Sequence, residues 1–555
     1  MKKIALMGNA FRAVMGMNAV YGFDIAVEEA FKSIITNSKA EEFYCIYEPN
    51  QYQEMIIRRK IRAAKRKDVK FHMISEYNAL WQNEKIDVDI LHNVSMDFLS
   101  LYHYRDRFIM GTPPITYTIH GASYPEYINN FYLMQLMAPV RSYDSLICTS
   151  NSVKKVVQNT LEKMSFELRE KKGIDLKYNG RLDVIPLGVN TEKFKPMDQA
   201  EARKKLNIPL DAFVLLWLGR LSAFDKADLY QLFIVFKRLI QNNKDKKLLL
   251  MLTGHDRAAN PHLPTLIEYS KELGIFENII FMQDYSVIDR NEIFSCADIF
   301  TSPIDNIQET FGITPIEAMA CGIPQVVSDF DGYKDTVVDE ETGFKVPTIW
   351  TTCDSDINNA GLLPCDLQHR FVFHHLLTSQ SIALDLEFYQ SKIQLLIDNR
   401  ELRKRMGENS RKRAEQNYDW KVVISDYDNL WTELSNIYVA ENLQKVSGEM
   451  AFLEPAYCKN FSPYITKMID ETAVIEVTTE GTQLYKKEFR YINHYDDEKV
   501  LLETKLSWEI LSLLCEQMEC ITMKGVINHY SQYLDSLVKR SVMKLVKQGF
   551  LRIVE

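Results

Sequence analysis

At 555 residues the chain is too long for one hydrophobic core, and two to four domains are expected. Its 46% hydrophobic and 25% charged residues are those of an ordinary globular protein. The net charge of -9 and a pI near 5.8 argue against a general nucleic-acid binder, which needs a basic face, but allow a local basic cleft for a diphosphate.

The amino-terminal MKKIALMGNAF has too short an apolar run for a secretory signal and no small-residue cleavage site. It reads as a first buried strand running into a loop. No stretch of eighteen apolar residues occurs, so no membrane span is expected, and peripheral membrane contact stays open. The nine cysteines are scattered without CxxC spacing, which favours reduced, buried thiols in a cytoplasmic protein over disulfides or zinc.

Along the first 190 residues, short continuous apolar runs fall at 2–8, 42–48, 69–75, 88–94, 115–121, 145–150 and 182–188. Unbroken apolar strands belong in sheets covered on both faces. Helical periodicity separates them, as at 22–35 and 151–164, so a doubly wound parallel sheet is expected. After the polar connector 186–198 a second series follows at 213–219, 247–254, 278–284, 298–303, 324–329 and 343–347. Two such series predict two Rossmann-like α/β domains, 1–190 and 191–440, facing a cleft, with ligands at the carboxyl ends of the strands. Residues 351–382 break the rhythm and read as an insertion or lid-like loop. A long charged helical region, roughly 383–437, follows. Beyond it, residues 450–555 form a separate small domain. A small β portion is expected from Thr478–Thr482 and the following LYKKEFRYINHY (484–495), then helices over 505–517, 522–532 and within 534–554, with a short terminal strand.

The sharpest signal is Glu309-Thr310-Phe311-Gly312-Ile313-Thr314-Pro315-Ile316-Glu317-Ala318-Met319-Ala320-Cys321-Gly322-Ile323-Pro324, just after a second-series strand. The spacing predicts a turn into a helix with Thr314 as N-cap, Pro315 in the first turn and Gly322 just past the end. A helix start offers free N–H groups and a positive dipole end, which suit a phosphate. Gly312 lets a ligand approach the backbone. Glu309 and Glu317 bracket the turn, and each carboxylate can accept from two hydroxyls of a sugar or ribose.

This segment resembles the signature of family 4 glycosyltransferases, retaining enzymes of the two-Rossmann GT-B type. Gly219-Arg220-Leu221 with Lys226, Ile185-Pro186-Leu187-Gly188-Val189-Asn190 and Asn417-Tyr418-Asp419-Trp420 match other family elements in order. The resemblance implies transfer of a sugar from a UDP- or GDP-sugar with retention of configuration. The leaving phosphate would serve as base, with no metal or other cofactor. It implies that Glu309 binds donor-sugar hydroxyls and that Glu317 holds the ribose. The amides of Phe311, Gly312 and Ile313 would cradle the sugar or distal phosphate, and Arg220 and Lys226 would neutralise the diphosphate. His120, in Thr118-Ile119-His120-Gly121, would touch the sugar from the first domain. Gly16 stands where the family has a glycine-rich loop, although the surrounding sequence departs from that loop. His92 either faces the cleft or packs in the core. A catalytically inactive GT-B scaffold is the alternative. A phosphorylase of the same fold would need a cofactor-lysine site, of which there is no sign.

The 450–555 region resembles the PqqD-like, winged-helix-like domains that bind leader peptides by strand addition. That resemblance implies a leader-bearing peptide acceptor. A helical appendage for oligomerisation, beside a glycolipid or polysaccharide acceptor, is the open alternative.

Overall fold

The computed structural model describes residues 2–7, 22–47, 51–75, 85–96, 101–125, 127–256, 261–283, 289–362, 373–442, 448–451, 456–487, 504–517 and 520–554. Contacts divide the chain into two compact units, Met1–Met73 with Asp87–Glu449, and Ile74–Ile86 with Met450–Glu555.

The first unit contains two sheets. One is built from β1 (Lys3–Met7), β2 (Glu42–Tyr47), β3 (Lys70–Ser75), β4 (Ile90–Asn93), β5 (Ile115–Ile119), β6 (Ser145–Cys148) and β7 (Arg181–Val184), in the order β3-β2-β1-β4-β5-β6-β7. The other is built from β8 (Phe213–Leu218), β9 (Leu248–Thr253), β10 (Ile279–Met282), β11 (Ile299–Ser302), β12 (Gln325–Ser328) and β13 (Gly343–Val346), in the order β10-β9-β8-β11-β12-β13. Both follow the doubly wound pattern in which the first and fourth strands are neighbours and the connections reverse direction between them. Pairing in the second sheet is parallel, as in Leu215↔Leu250 and Ile299↔Leu215. Consecutive residues are buried on both faces, for example Val214, Leu215, Leu216 and Trp217, which explains the unbroken apolar runs.

The helices that cover the first sheet or border the loops at the strand ends include α1 (Gly22–Asn37), α2 (Asn151–Lys172), α3 (Ile313–Ala320), α4 (Phe373–Gln380) and α5 (Trp420–Glu441). α1 packs Val27, Phe31, Ile34 and Ile35 into the first core. Ser150 caps α2 by accepting from the Val153 amide, and Gly173 ends it at φ 68°.

The charged region after 383 is three helical stretches in which the chain returns to its start. Tyr418 belongs to the second core, whereas Trp420, Val423, Ile424, Tyr427, Trp431 and Leu434 of α5 belong to the first. The crossing is pinned to Ile185–Asn190. The Val189 amide donates to Tyr418 O at 2.7 Å, and the Trp420 amide donates back to Val189 O at 3.2 Å. The Trp420 ring lies where a Cβ on Gly188 would stand, so glycine is what lets the two segments touch. Trp431 is fully buried and donates from Nε1 to Thr116 Oγ1 at 3.1 Å. Trp431→Ala is therefore expected to cost about 3–5 kcal/mol, read by chemical denaturation, even though it lies more than two hundred residues beyond the sheet it covers.

The 351–382 segment is not an irregular loop in its described parts. An antiparallel ribbon, β14 (Thr348–Trp350) with β15 (Ile382–Leu384), carries the helices Asp354–Leu362 and α4. His92 is core: it is fully buried, with Nδ1 2.9 Å from Thr116 Oγ1 and its ring beside Tyr427 and Trp431. Among the described cysteines, Cys45, Cys148, Cys296 and Cys321 are buried and free, but Cys458 and Cys520 are exposed.

The second unit holds a small antiparallel sheet in which β16 (Val474–Val477) lies between β17 (Ile521–Thr522) and β18 (Leu551–Val554). Helices Thr504–Gln517, Met523–His529 and Asp535–Lys547 pack Leu506, Ile510, Leu511, Val526, Val538 and Val542 beside it. Of the β portion expected over 478–482 and 484–495, the first stretch is a helix start instead, and residues 488–495 lie outside the described residues. Thr478 caps Thr479–Tyr485 by accepting from the Gly481 amide at 3.0 Å, and the strand is the apolar run just before it.

Candidate functional site

The site grows from the carboxyl ends of β8 and β11, which are neighbours at the point where the second sheet reverses its winding. The loop after β8 carries Arg220 and Lys226, and the loop after β11 carries Glu309 and leads into α3. Their side chains meet: Lys226 Nζ is ion-paired with Glu309 Oε2, both largely buried. Burial alone would push the Glu309 carboxyl up. The facing Lys226 ammonium and the amides of Thr310 and Phe311 outweigh it and hold the group below the ordinary glutamate range. Lys226 is raised for the reciprocal reason, Glu309 overcoming its burial. The pair is thus ionised at neutral pH.

α3 begins differently from the sequence expectation. Its N-cap is Gly312 at φ 87°, ψ 96°, with no side-chain cap, and Thr314 lies inside the first turn. A Cβ on Gly312 would run into the Tyr333 ring, which is fully buried with its hydroxyl 2.9 Å from Ser302 Oγ. Gly322 stands just beyond the carboxyl end at φ 75°, as the sequence predicts. The Phe311 side chain is buried edge-on to Tyr418, and its amide is directed to Glu309. Ile313 packs on the second core.

Glu317 lies within α3, is only 3% exposed and is ion-paired to Arg290 Nη2. It is not on a solvated face. Burial raises its pKa, opposed by Arg290 and Lys193. Arg220 folds back on its own loop, with Nη1 3.3 Å from Asp225 Oδ2 and Nη2 donating to Gln308 Oε1 at 3.3 Å.

From the first sheet, the loop after β5 and the start of α2 come up to these loops. His120 O accepts from Thr310 Oγ1 at 3.2 Å, and Ser150 Oγ donates to Thr310 O at 2.9 Å. Ser152 Oγ donates to Asp331 O at 2.8 Å. The His120 ring donates from Nε2 to Val94 O at 2.8 Å; burial brings its pKa down to about 4, the carbonyl opposing. It is a neutral imidazole at pH 7, so it can orient a ligand but cannot act as a resident cation. Gly16 lies outside the described residues.

The structure thus gathers Glu309, Lys226, Phe311, Gly312, Ile313 and Glu317 around one helix start, with Arg220 and His120 on adjoining loops. Arg290, Gln308, Tyr333 and Asp331 join them without having been singled out from sequence. Asp331 sits at φ 49°; burial, with Glu309 adding to it, pushes its carboxyl well up. Arg290 carried one usable signal: a cation in the first turn of Arg290–Ser295 opposes the helix dipole, so something else must hold it there. Among the described residues no group of three or more His, Cys, Asp or Glu is arranged to hold a metal. No described helix is long and apolar enough to cross a membrane.

Residues 198–352 match the family described as glycosyl transferases group 1. The chain is 31% identical over 169 residues to a D-inositol 3-phosphate glycosyltransferase of Stackebrandtia nassauensis, which covers 30% of this chain and 37% of that protein. It is 31% identical over 164 residues to the enzyme of the same name from Saccharomonospora viridis, covering 29% and 37%. The chain therefore spans well under half the length of these curated relatives. Among solved structures, Anabaena HepE in complex with UDP and glucose is similar at a TM-score of 0.50 and 13% identity, covering 78% of this chain and all of that one. At that identity the likeness establishes the GT-B fold of two facing Rossmann-like domains.

Proposed function

We propose that the chain is a glycosyltransferase that takes a sugar from a nucleoside-diphosphate sugar and transfers it with retention of configuration. The observation that carries this reading is the start of α3, open through Gly312 and flanked by Lys226–Glu309 on one side and Arg290–Glu317 on the other. The donor-sugar hydroxyls bond to Glu309 and the ribose hydroxyls to Glu317. The diphosphate lies against Arg220, Lys226 and the first-turn amides of Gly312 and Ile313. Departure of the nucleoside diphosphate puts negative charge on its distal oxygen, and fixed cations with a helix amino end stabilise that charge without reorganisation. Glu309 ionised and paired with Lys226 fits an acceptor of hydroxyl hydrogen bonds rather than a proton donor. The attack comes from the face the phosphate leaves, and that phosphate takes the acceptor's proton. The match to glycosyl transferases group 1 supports the donor half of this reading, since it falls on residues 198–352, which carry the second sheet.

Incubation with a panel of UDP- and GDP-sugars is expected to release nucleotide from at least one. Silence on every donor would favour an inactive scaffold. Glu317→Gln is expected to weaken binding of the matching nucleoside diphosphate about tenfold in calorimetry, because Arg290 stays behind while a charged acceptor for the ribose is lost.

We further propose that the second unit recruits a leader-bearing peptide as acceptor. Its support is the order β17-β16-β18, in which β18 has a strand on one side only among the described residues; strand addition requires such an edge. Peptides encoded beside the gene are expected to bind the full chain. Failure of all of them would leave this unit as an appendage.

A further inference from the structure

The helix α4 of the 351–382 segment reaches both loops that meet at the site. His375 Nε2 lies 2.9 Å from Ser123 Oγ, and His374 Nε2 donates to Ser123 O at 3.3 Å, both in the stretch that follows His120. The other end of α4 holds the Arg220–Lys226 loop. Ser379 Oγ donates to Ala223 O at 3.3 Å and Gln380 Nε2 donates to Asp228 Oδ2 at 2.9 Å, while at the histidine end the Phe373 ring lies 6.2 Å from that of Phe224. α4 thus ties the first-domain loop to the loop that carries the cations.

His375 is 1% exposed, yet its Nδ1 has no hydrogen-bond partner among the described residues. A buried polar nitrogen left unpaired costs free energy unless a ligand completes it. Its ring meets the Tyr124 ring edge-on at 4.9 Å and the His374 ring at 4.1 Å. The Arg220 charge, on the loop whose Ala223 carbonyl α4 holds, disfavours protonation of His375. A guanidinium charge opposes protonation of the imidazole, and an anion bound by both removes that opposition.

We propose that His375 is a diphosphate-binding residue, delivered to the donor site by α4 and acting with Arg220 on the phosphates of the nucleoside-diphosphate sugar. This rests on the donor reading above. In the unliganded site the His375 ring is held neutral by burial, by His374 and by Arg220. Binding a diphosphate reverses the sign of the local field and favours the imidazolium. Proton uptake on binding means that affinity rises as pH falls. Tyr124 is pushed up by burial to the neutral phenol and contributes no charge in this range, and the Asp225 carboxylate is the counter-charge of Arg220 with which a diphosphate competes.

The test is calorimetric binding of UDP, GDP and the free nucleosides to the full chain at about pH 6 and about pH 8. The wild type, His375→Ala and His375→Gln are compared. The wild type is expected to bind its nucleoside diphosphate about tenfold more tightly at the lower pH than the Ala variant does, with the gap narrowing at the higher pH. His375→Gln keeps a neutral polar group and is expected to match the wild type at the higher pH but not the lower. The free nucleoside is expected to bind all three alike. A His375→Ala chain with wild-type affinity and pH slope overturns the proposal alone, as does an equal loss for the free nucleoside. A wild-type chain that binds no nucleoside diphosphate overturns the donor reading with it.

Discussion

Glu309→Gln is expected to lower donor turnover by about 10²–10³-fold while leaving affinity for the bare nucleoside diphosphate within about threefold. The two readouts separate because the carboxylate is assigned to sugar hydroxyls and the phosphates to cations and amides. Glutamine keeps the volume but offers one acceptor oxygen where the carboxylate offers two. The substitution also strips Lys226, which is 11% exposed, of its counter-charge. A cation left with little solvent is expected to cost the fold about 1–3 kcal/mol, visible as a lowered melting temperature. The same cation is then free to turn towards phosphate, so nucleotide binding should not suffer. Turnover retained in Glu309→Gln would remove this residue from the reaction. Loss of nucleotide affinity in parallel would place it on the phosphates instead.

Gly312→Ala is expected to lose both readouts. The backbone there is at φ 87° and ψ 96°, a region side chains avoid, and the added methyl points into the Tyr333 ring. Tyr333 has little room to yield, being fully buried and hydrogen-bonded to Ser302. Strained backbone and overpacking each cost about 1–3 kcal/mol, so the first turn of α3 must shift. A shift of this turn misplaces the amides assigned to the phosphates and the loop that carries Glu309. Nucleoside diphosphate affinity is expected to fall at least about tenfold and turnover by more, since orientation is lost along with contacts. Combining Gly312→Ala with Tyr333→Ala removes the collision but keeps the backbone strain. The double variant should therefore recover part of the stability that the single Gly312 change loses, measured as a coupling free energy in a double-mutant cycle.

Much of the fold was legible because both sheets are covered on both faces. That burial writes uninterrupted apolar runs such as 213–219 and 247–254 into the chain, with little room for another reading. The bracketed helix start was legible for a local reason: Glu309, Gly312 and Glu317 lie within nine residues, and a turn feeding a helix constrains each of them. What stayed hidden depends on partners distant in sequence. Arg290 reads as an ordinary helix-start cation until Glu317 is seen beside it. Thr314 suits an N-cap by composition, but the positive φ of Gly312 starts the helix two residues sooner. His375 carries no motif; its position depends on a ribbon whose two strands are more than thirty residues apart, and on Ser123, some 250 residues earlier. The threonine-rich 478–482 stretch reads as strand by composition, yet Thr478 accepting from the Gly481 amide turns the same residues into a helix start.

The whole chemical account depends on where the nucleotide lies, and a crystal structure of the chain with UDP or GDP bound tests that most directly. The account predicts the ribose hydroxyls on Glu317, the distal phosphate against the Gly312 and Ile313 amides, and Arg220, Lys226 and His375 around the diphosphate. A nucleotide bound away from the amino end of α3, with Glu317 still paired only to Arg290, would contradict it.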